Sequence, residues 1–323
     1  MLRDNHNRDI NYLRLAVTDR CNLRCFYCMP EQGIDWLSRA DLLSWEEMER
    51  LCRVLVAHGI SKIRITGGEP FVRRNLMPFL EKIAALPGLH ELTLTTNGIL
   101  TAPHIPALKQ MGIRSVNLSL DTLDRNRFFA ITRRDELPAV RNTLDTLLAH
   151  DIAVKINAVV MDGRNTDDIL PLVALTEHLP VSVRFIEEMP FNGSGTMHSI
   201  AWHHGRIMDT IKAAHPGLQK VQDGPHTTSY NYRIPGHQGT VGVIAAYTRS
   251  FCGTCNRLRI TPQGMLKTCL YDSGVFSLRD LLRSGATNAQ LISAIQDAIS
   301  HRHPTGHEAE RQATHESMAA IGG

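Results

Sequence analysis

No stretch of this 323-residue chain approaches the roughly 18 consecutive apolar residues of a membrane span, so none is expected. The first segment, MLRDNHNRDINYLRLAV, lacks the apolar centre of a secretory signal, and a cytoplasmic location is expected. Charge of one sign is also scarce: the formal net charge is +3, too small for general nucleic-acid binding. Any anion site must come from local clusters of Arg and Lys. Internal repeats and long low-complexity tracts are missing too. Cysteine is present, seven residues of it, and in a cytosolic setting this argues for metal or redox chemistry over disulfides. What the cysteines lack is a fourth neighbour. Cys21, Cys25 and Cys28 form one group, and Cys252, Cys255 and Cys269 another. Zinc sites and ordinary ferredoxin clusters want four ligands. Each triad therefore leaves one coordination position open. Cys52, at an apolar helical position in EEMERLCRVLVAHG, reads as a buried core residue.

A hydrophobic content of 43% supports a real core. Six β-rich runs recur at 13–18, 62–67, 91–97, 115–121, 154–161 and 182–189. Helical patterns separate most of them, at 44–59, 76–86, 104–111, 138–150 and 166–179. In the first of these, Ser44 and Glu47 form a capping-box pair and Gly59 stops the run. Strand–helix repetition predicts parallel strands with right-handed crossovers. Six units predict an α/β fold, an incomplete (β/α)6 TIM-like barrel over residues 1–190. A loop-rich C-terminal region, 191–323, carries the second cysteine group, with RLRIT as a short strand beside it.

The strands do not alternate like those of an apolar-filled barrel. Arg64 with Thr66, Thr93 with Thr95 and Asn97, Asn117 with Ser119 and Asp121, and Lys155 with Asn157 each share a face. Helices cover the outside of parallel strands. Polar rows therefore imply a wet or ligand-filled interior, with the ligand at the C-terminal strand ends.

The spacing C-x3-C-x2-C directly after strand one places Cys21, Cys25 and Cys28 in the loop at that mouth. Three thiolates can hold three irons of a 4Fe-4S cluster and leave the fourth for a small chelating molecule. CNLRCFYC, followed by TGGEP at 66–70, resembles the radical S-adenosylmethionine superfamily. In that superfamily the open iron binds the methionyl end of S-adenosylmethionine, whose reductive cleavage gives a 5′-deoxyadenosyl radical. Gly67 and Gly68 would let the backbone approach the ligand, and Glu69 would meet its ammonium. FCGTCNRLR, G-x-L-x-x-C-L, YLRLAVTDRCN, TTNG, NLSLD, RFIEEMP and the closing Gly-Gly resemble one subfamily, the GTP 3′,8-cyclases.

That resemblance implies two 4Fe-4S clusters, held by Cys21, Cys25 and Cys28 and by Cys252, Cys255 and Cys269. It implies S-adenosylmethionine contacts at Tyr27, Gly68, Ser119 and Met189. GTP contacts are implied at Arg14, Arg64, Thr95, Lys155, Arg257 and Arg259, the guanine base meeting the open iron of the second cluster. A triphosphate suits such cations, because Arg offers planar multi-donor recognition of phosphate. The implied reaction is cyclisation of GTP to 3′,8-cyclo-7,8-dihydro-GTP, the first step of molybdenum cofactor biosynthesis. The implied partners are a reducing protein such as flavodoxin or ferredoxin and the downstream cyclic pyranopterin monophosphate synthase. Nucleic acid and membrane are not among them; a monomer or homodimer is expected. The Gly322-Gly323 tail would reach toward the site, while Arg73-Arg74 and Arg133-Arg134 read as surface charge. A radical peptide-modifying enzyme is the alternative, and a zinc-dependent nucleic-acid binder is a third reading that leaves TGGEP unexplained.

Overall fold

The computed structural model describes all residues except Glu31, 190–199, Pro225, 249–251, 312–316 and Gly323. Pro190 and Phe251 of the sequence motifs, and the last glycine of the tail, thus lie outside the described residues.

Six strands carry the frame: β1 (Tyr12–Ala16), β2 (Lys62–Thr66), β3 (Glu91–Thr96), β4 (Ser115–Ser119), β5 (Ala153–Val160) and β6 (Ser182–Glu187). They pair in parallel and in chain order. Crossovers run through α1 (Trp45–Ala57), α2 (Leu76–Ala84), α3 (Ile105–Gln110), α4 (Arg125–Thr132), α5 (Leu137–Ala149) and α6 (Ile169–His178). The capping box is made: Ser44 Oγ accepts from the Glu47 amide at 3.1 Å, and Glu47 Oε2 accepts from the Ser44 amide at 2.7 Å. Helix α4 has no counterpart in the sequence reading. Its apolar residues form no clear stripe, so periodicity could not find it.

After α7 (His204–Ala214) come β7 (Gln219–Lys220), β8 (Ser229–Arg233), β9 (Thr240–Ile244), β10 (Arg257–Ile260), β11 (Met265–Lys267) and β12 (Phe276–Ser277). These extend both sides of the same sheet, β9 lying parallel to β6 and β10 parallel to β1. The order β12-β11-β10-β1-β2-β3-β4-β5-β6-β9-β8-β7 is open, not closed. The chain then runs through α8 (Leu278–Arg283), α9 (Asn288–Ser300), α10 (Gly306–Glu310) and α11 (Met318–Ile321). A two-stranded hairpin, Leu2–Arg3 with Asp9–Ile10, precedes the barrel.

Leu13, Leu15, Ile63, Ile65, Leu94, Val116, Leu118 and Ile156 are fully buried in the main apolar core. Each such side chain contributes about 1.5–3 kcal/mol of burial. The alternate positions on these strands carry the polar rows. Cys52 is buried, as the helical pattern predicts. Arg73 departs from its reading as surface charge: it donates to the carbonyls of Val17 at 2.5 Å and Leu43 at 2.6 Å. Its guanidinium also lies 4.0 Å from the Trp45 ring centroid. Among the described residues no helix is long and apolar enough to cross a membrane.

Candidate active site

A cavity of about 300 Å³ opens at the C-terminal strand ends, within the range of cofactor and substrate sites. All six triad cysteines line it, as do Tyr27, Gly68, Ser119 and Met189. Arg14, Arg64, Thr95, Arg257 and Arg259 line it as well. Lys155 does not; it lies on β5, beside Asn117 of β4 and Ser182 of β6. Burial, with Arg184, Lys62 and Arg64 nearby, holds its ammonium down to about 8.

The first triad sits on a loop fastened to the end of α4. The Arg24 amide donates to Thr132 O at 3.0 Å, and the Phe26 amide to Ile131 O at 3.2 Å. Asn97 Nδ2 and the Leu23 amide both reach Cys21 Sγ, at 3.7 and 3.4 Å. All three cysteines are free thiols. Burial, with the charge of Glu69, pushes Cys21 up to about 11; burial and Cys21 push Cys28 up to about 12. Cys25 is also raised well above its ordinary value, by burial and then by Asp121 and the other two thiols. Metal binding would displace these protons, so affinity at this loop rises with pH. Among the described residues no three His, Cys, Asp or Glu are gathered into a single-ion site. The donor set at each triad is all thiol, which fits an iron–sulfur cluster. Asn117 Oδ1, Asn157 Oδ1 and Arg64 Nε are buried in the cavity wall without hydrogen-bond partners, groups that a polar ligand would satisfy. Tyr27 uses its hydroxyl here, donating to Asp121 Oδ2 at 2.9 Å. Asp121 also accepts from the Val159 amide at 2.8 Å, and burial pushes its carboxyl up to about 6.

The glycines of TGGEP line the cavity and have a second reason besides the one the sequence suggests. A Cβ on Gly67 would lie 2.5 Å from Thr18 O, and one on Gly68 would lie 2.4 Å from Arg20 O. Both face the backbone that leads into the cysteine loop, so the close approach is of chain to chain. Glu69, unlike those two glycines, is fully buried and does not line the cavity. Its carboxylate accepts from the Asn97 amide at 2.7 Å, Thr96 Oγ1 at 2.9 Å and the Phe71 amide at 3.2 Å, tying the end of β2 to that of β3. Burial nevertheless pushes its pKa from 4.5 up to about 7. The folded protein therefore binds the extra proton between these values, and this group's contribution to stability falls as pH rises through them. Glu69→Gln is expected to cost about 2 kcal/mol, because an amide offers fewer acceptors to three buried donors. It should also flatten the decline of stability with pH. Urea denaturation at about pH 5 and about pH 8 checks this, and equal slopes for both proteins would contradict it.

Sheet register sets the electrostatics. Arg259 of β10 is paired with Arg14 of β1, and Arg14 with Arg64 of β2. Neighbouring strands are about 4.8 Å apart, so three guanidinium side chains stand abreast on one face. Burial pulls Arg14 down to about 10, with Arg64 and Arg257 adding repulsion against the attraction of Tyr12. Tyr12, which the sequence reading passed over, is pulled down to about 8 by Arg64, Arg14, Lys62 and Arg257, against its burial. Arg184 was passed over too; it lines the cavity from β6. Its alternation with Ser182 and Ile186 is the signal that would have found it.

The tail enters the same region. Gly322 has φ +83°, and a Cβ there would lie 2.5 Å from Ala16 Cβ and 2.9 Å from Thr66 Oγ1. Its carbonyl accepts from Arg259 Nη1 at 3.0 Å. Ser317 Oγ donates to Cys28 O at 2.5 Å, and Met318 lines the cavity, so the chain's end joins both cysteine groups' surroundings. In the second group, burial pushes Cys269 up to about 11. Burial also raises Cys255, but Arg257 and Arg302 outweigh it and draw the thiol down to about 6.

An open partial barrel whose strand ends gather two cysteine triads around a cationic cavity defines a radical S-adenosylmethionine protein. The model of the radical SAM superfamily matches residues 15–176, and that of Molybdenum Cofactor Synthesis C matches 181–308. The chain belongs to the GTP 3′,8-cyclase family: the GTP 3′,8-cyclase of Geobacter sulfurreducens is 44% identical, covering 100% of this chain and 99% of that protein. Molybdenum cofactor biosynthesis protein 1 of Mus musculus is 43% identical over 93% of this chain and 48% of its own length. The chain thus spans about half of that relative. Among solved structures, Streptococcus suis SuiB bound to S-adenosylmethionine superposes with a TM-score of 0.63 at 15% identity. It covers 90% of this chain and 68% of that one, a likeness of fold alone. Iron–sulfur clusters and S-adenosylmethionine are the cofactors of the family.

Proposed function

We propose that this chain cyclises GTP to (8S)-3′,8-cyclo-7,8-dihydroguanosine 5′-triphosphate, the first step of molybdenum cofactor biosynthesis. The observation that carries the reading is the row Arg259–Arg14–Arg64, three cations abreast in a cavity that also receives both cysteine triads. Such a row is unfavourable without an anion and suited to a triphosphate. Thr95, Arg257 and Arg184 would add to the GTP site, and Lys155 would act from beneath it by charge.

Cys21, Cys25 and Cys28 would hold the cluster that meets S-adenosylmethionine, and Cys252, Cys255 and Cys269 the cluster that meets guanine. Tyr27, Gly68, Ser119 and Met189 would surround S-adenosylmethionine. Bound together, the first cluster and S-adenosylmethionine supply the one-electron chemistry that removes the ribose 3′ hydrogen. The protein's own work is placement. The cations would fix the triphosphate, the cysteine loop is locked by Gly67, Gly68 and Glu69, and the tail reaches Arg259 beside the site. We assign residues 1–190 to hydrogen abstraction and 191–323 to the guanine end. The reaction belongs in the cytoplasm, with a flavodoxin or ferredoxin as reductant and cyclic pyranopterin monophosphate synthase as the next enzyme. Anaerobically reconstituted protein given GTP, S-adenosylmethionine and a reductant should release 5′-deoxyadenosine and the cyclised nucleotide. Deoxyadenosine without the cyclised product, at full iron content, would refute GTP as substrate.

A further inference from the structure

Two arginines and one carboxylate form a buried cage behind the second cysteine group. Asp4 lies in the N-terminal hairpin and Arg302 just after α9. Arg8 Nε donates to Asp4 Oδ2 at 2.6 Å, and Arg302 Nη1 lies 3.4 Å from the same oxygen. The side chains of Arg302 and Asp4 are 3% and 0% exposed, so their charges act with little screening from solvent. Both arginines reach the cysteine loop. Arg8 Nη1 donates to Cys252 O at 2.8 Å, and Arg302 Nη1 to Cys255 O at 3.0 Å. The second nitrogen of Arg302, Nη2, lies 3.0 Å from Cys255 Sγ itself. The Gly306 amide completes the set, 3.4 Å from Cys252 Sγ.

A 4Fe-4S cluster held by thiolates is anionic and becomes more so on reduction. A full positive charge donating to a ligand sulfur stabilises the reduced form and raises the potential. A carboxylate beside that charge offsets part of the effect. We propose that Arg302 is a positioning residue that orients Cys255 and raises the reduction potential of the cluster on Cys252, Cys255 and Cys269, with Asp4 tuning the charge it presents. The proposal rests on the reading that this triad holds a cluster.

Full-length wild type, Arg302→Gln, Arg302→Lys and Asp4→Asn are reconstituted anaerobically. Each is titrated with dithionite and redox mediators while electron paramagnetic resonance follows the two clusters separately. Arg302→Gln should lower the second cluster's midpoint by about a tenfold change in the reduced-to-oxidised ratio, ~59 mV for one electron. Arg302→Lys should recover most of that shift, and the first cluster should not move. Asp4→Asn should shift the second midpoint upward. A merely structural role moves Arg302→Gln and Asp4→Asn in the same direction, and that result overturns the proposal, as does an unchanged midpoint in Arg302→Gln. If Arg302→Gln fails to retain its second cluster, Asp4→Asn decides: an upward shift of the second midpoint supports the proposal, and a downward or absent shift overturns it. Failure of the underlying reading looks different: wild type would then hold about four irons per chain instead of about eight.

Discussion

Arg14→Met should make the ligand-free protein more stable and leave it almost unable to use GTP. Arg14 is the middle member of the row, paired in register with Arg259 on one side and Arg64 on the other. Methionine keeps much of the volume and removes one of three like charges from a desolvated face. Relief of that repulsion should outweigh the lost cation–π contact with the Tyr12 ring, which is worth about 0.5–1 kcal/mol. A bound triphosphate reverses the balance. It would lose its central charge-assisted contact, and such losses cost about 2–5 kcal/mol. We therefore expect kcat/KM for GTP to fall by about 10²- to 10³-fold. In wild type, saturating ligand adds stability, about 2.7 kcal/mol at a hundred times its Kd; in the variant that gain should fall to about 0.4 kcal/mol or less at the same concentration. Thermal denaturation with and without GTP, paired with steady-state kinetics, reads all three effects. A variant that is less stable alone, or still protected by GTP, would show that the row is structural.

Gly68→Ala carries the second large effect, and it comes from backbone alone. The new Cβ would stand 2.4 Å from Arg20 O and 2.6 Å from Asp19 O, closer than real contacts permit. Neither oxygen can swing aside as a side-chain end would, because this backbone is pinned. The Gly68 amide donates to Thr18 O at 2.7 Å and the Glu69 amide to Arg20 O at 2.8 Å. The chain must therefore part between residues 18–20 and 67–69, and Cys21 follows directly. The expected protein folds but loses about four irons, those of the first triad, and with them about 10³-fold or more of its 5′-deoxyadenosine formation. The second cluster should stay. Iron and sulfide analysis with electron paramagnetic resonance tests this; a full complement of iron and near-normal turnover would mean that the loop gives way harmlessly.

The six strand–helix units, the polar strand faces and the cysteine triads were legible because they are written in short-range pattern. Period-two alternation puts Arg64 and Thr66 together whatever the rest of the chain does, and C-x3-C-x2-C keeps its thiols within one loop. The reading went astray where the partner of a residue lies far along the chain. Glu69 pointed to a ligand, but it is buried and holds the end of β3, while Gly67 and Gly68 line the cavity and also pack against the backbone of residues 18–20. Arg73 looked like solvated charge until Val17, Leu43 and Trp45 came to surround it. Helix α4, whose last turn holds the cysteine loop, lacks the amphipathic stripe that reveals a helix locally.

What the sequence determined unaided is therefore the local chemistry: two sets of three thiols, cations on strand faces and a glycine at the tail. Only the tertiary structure decided which of these meet. Sheet register set Arg259 beside Arg14 and Arg64, and Asp4 met Arg302 across 298 residues. The reason is that parallel pairing and docking of termini bring together groups with no fixed separation along the chain, whereas pattern reports only on neighbours.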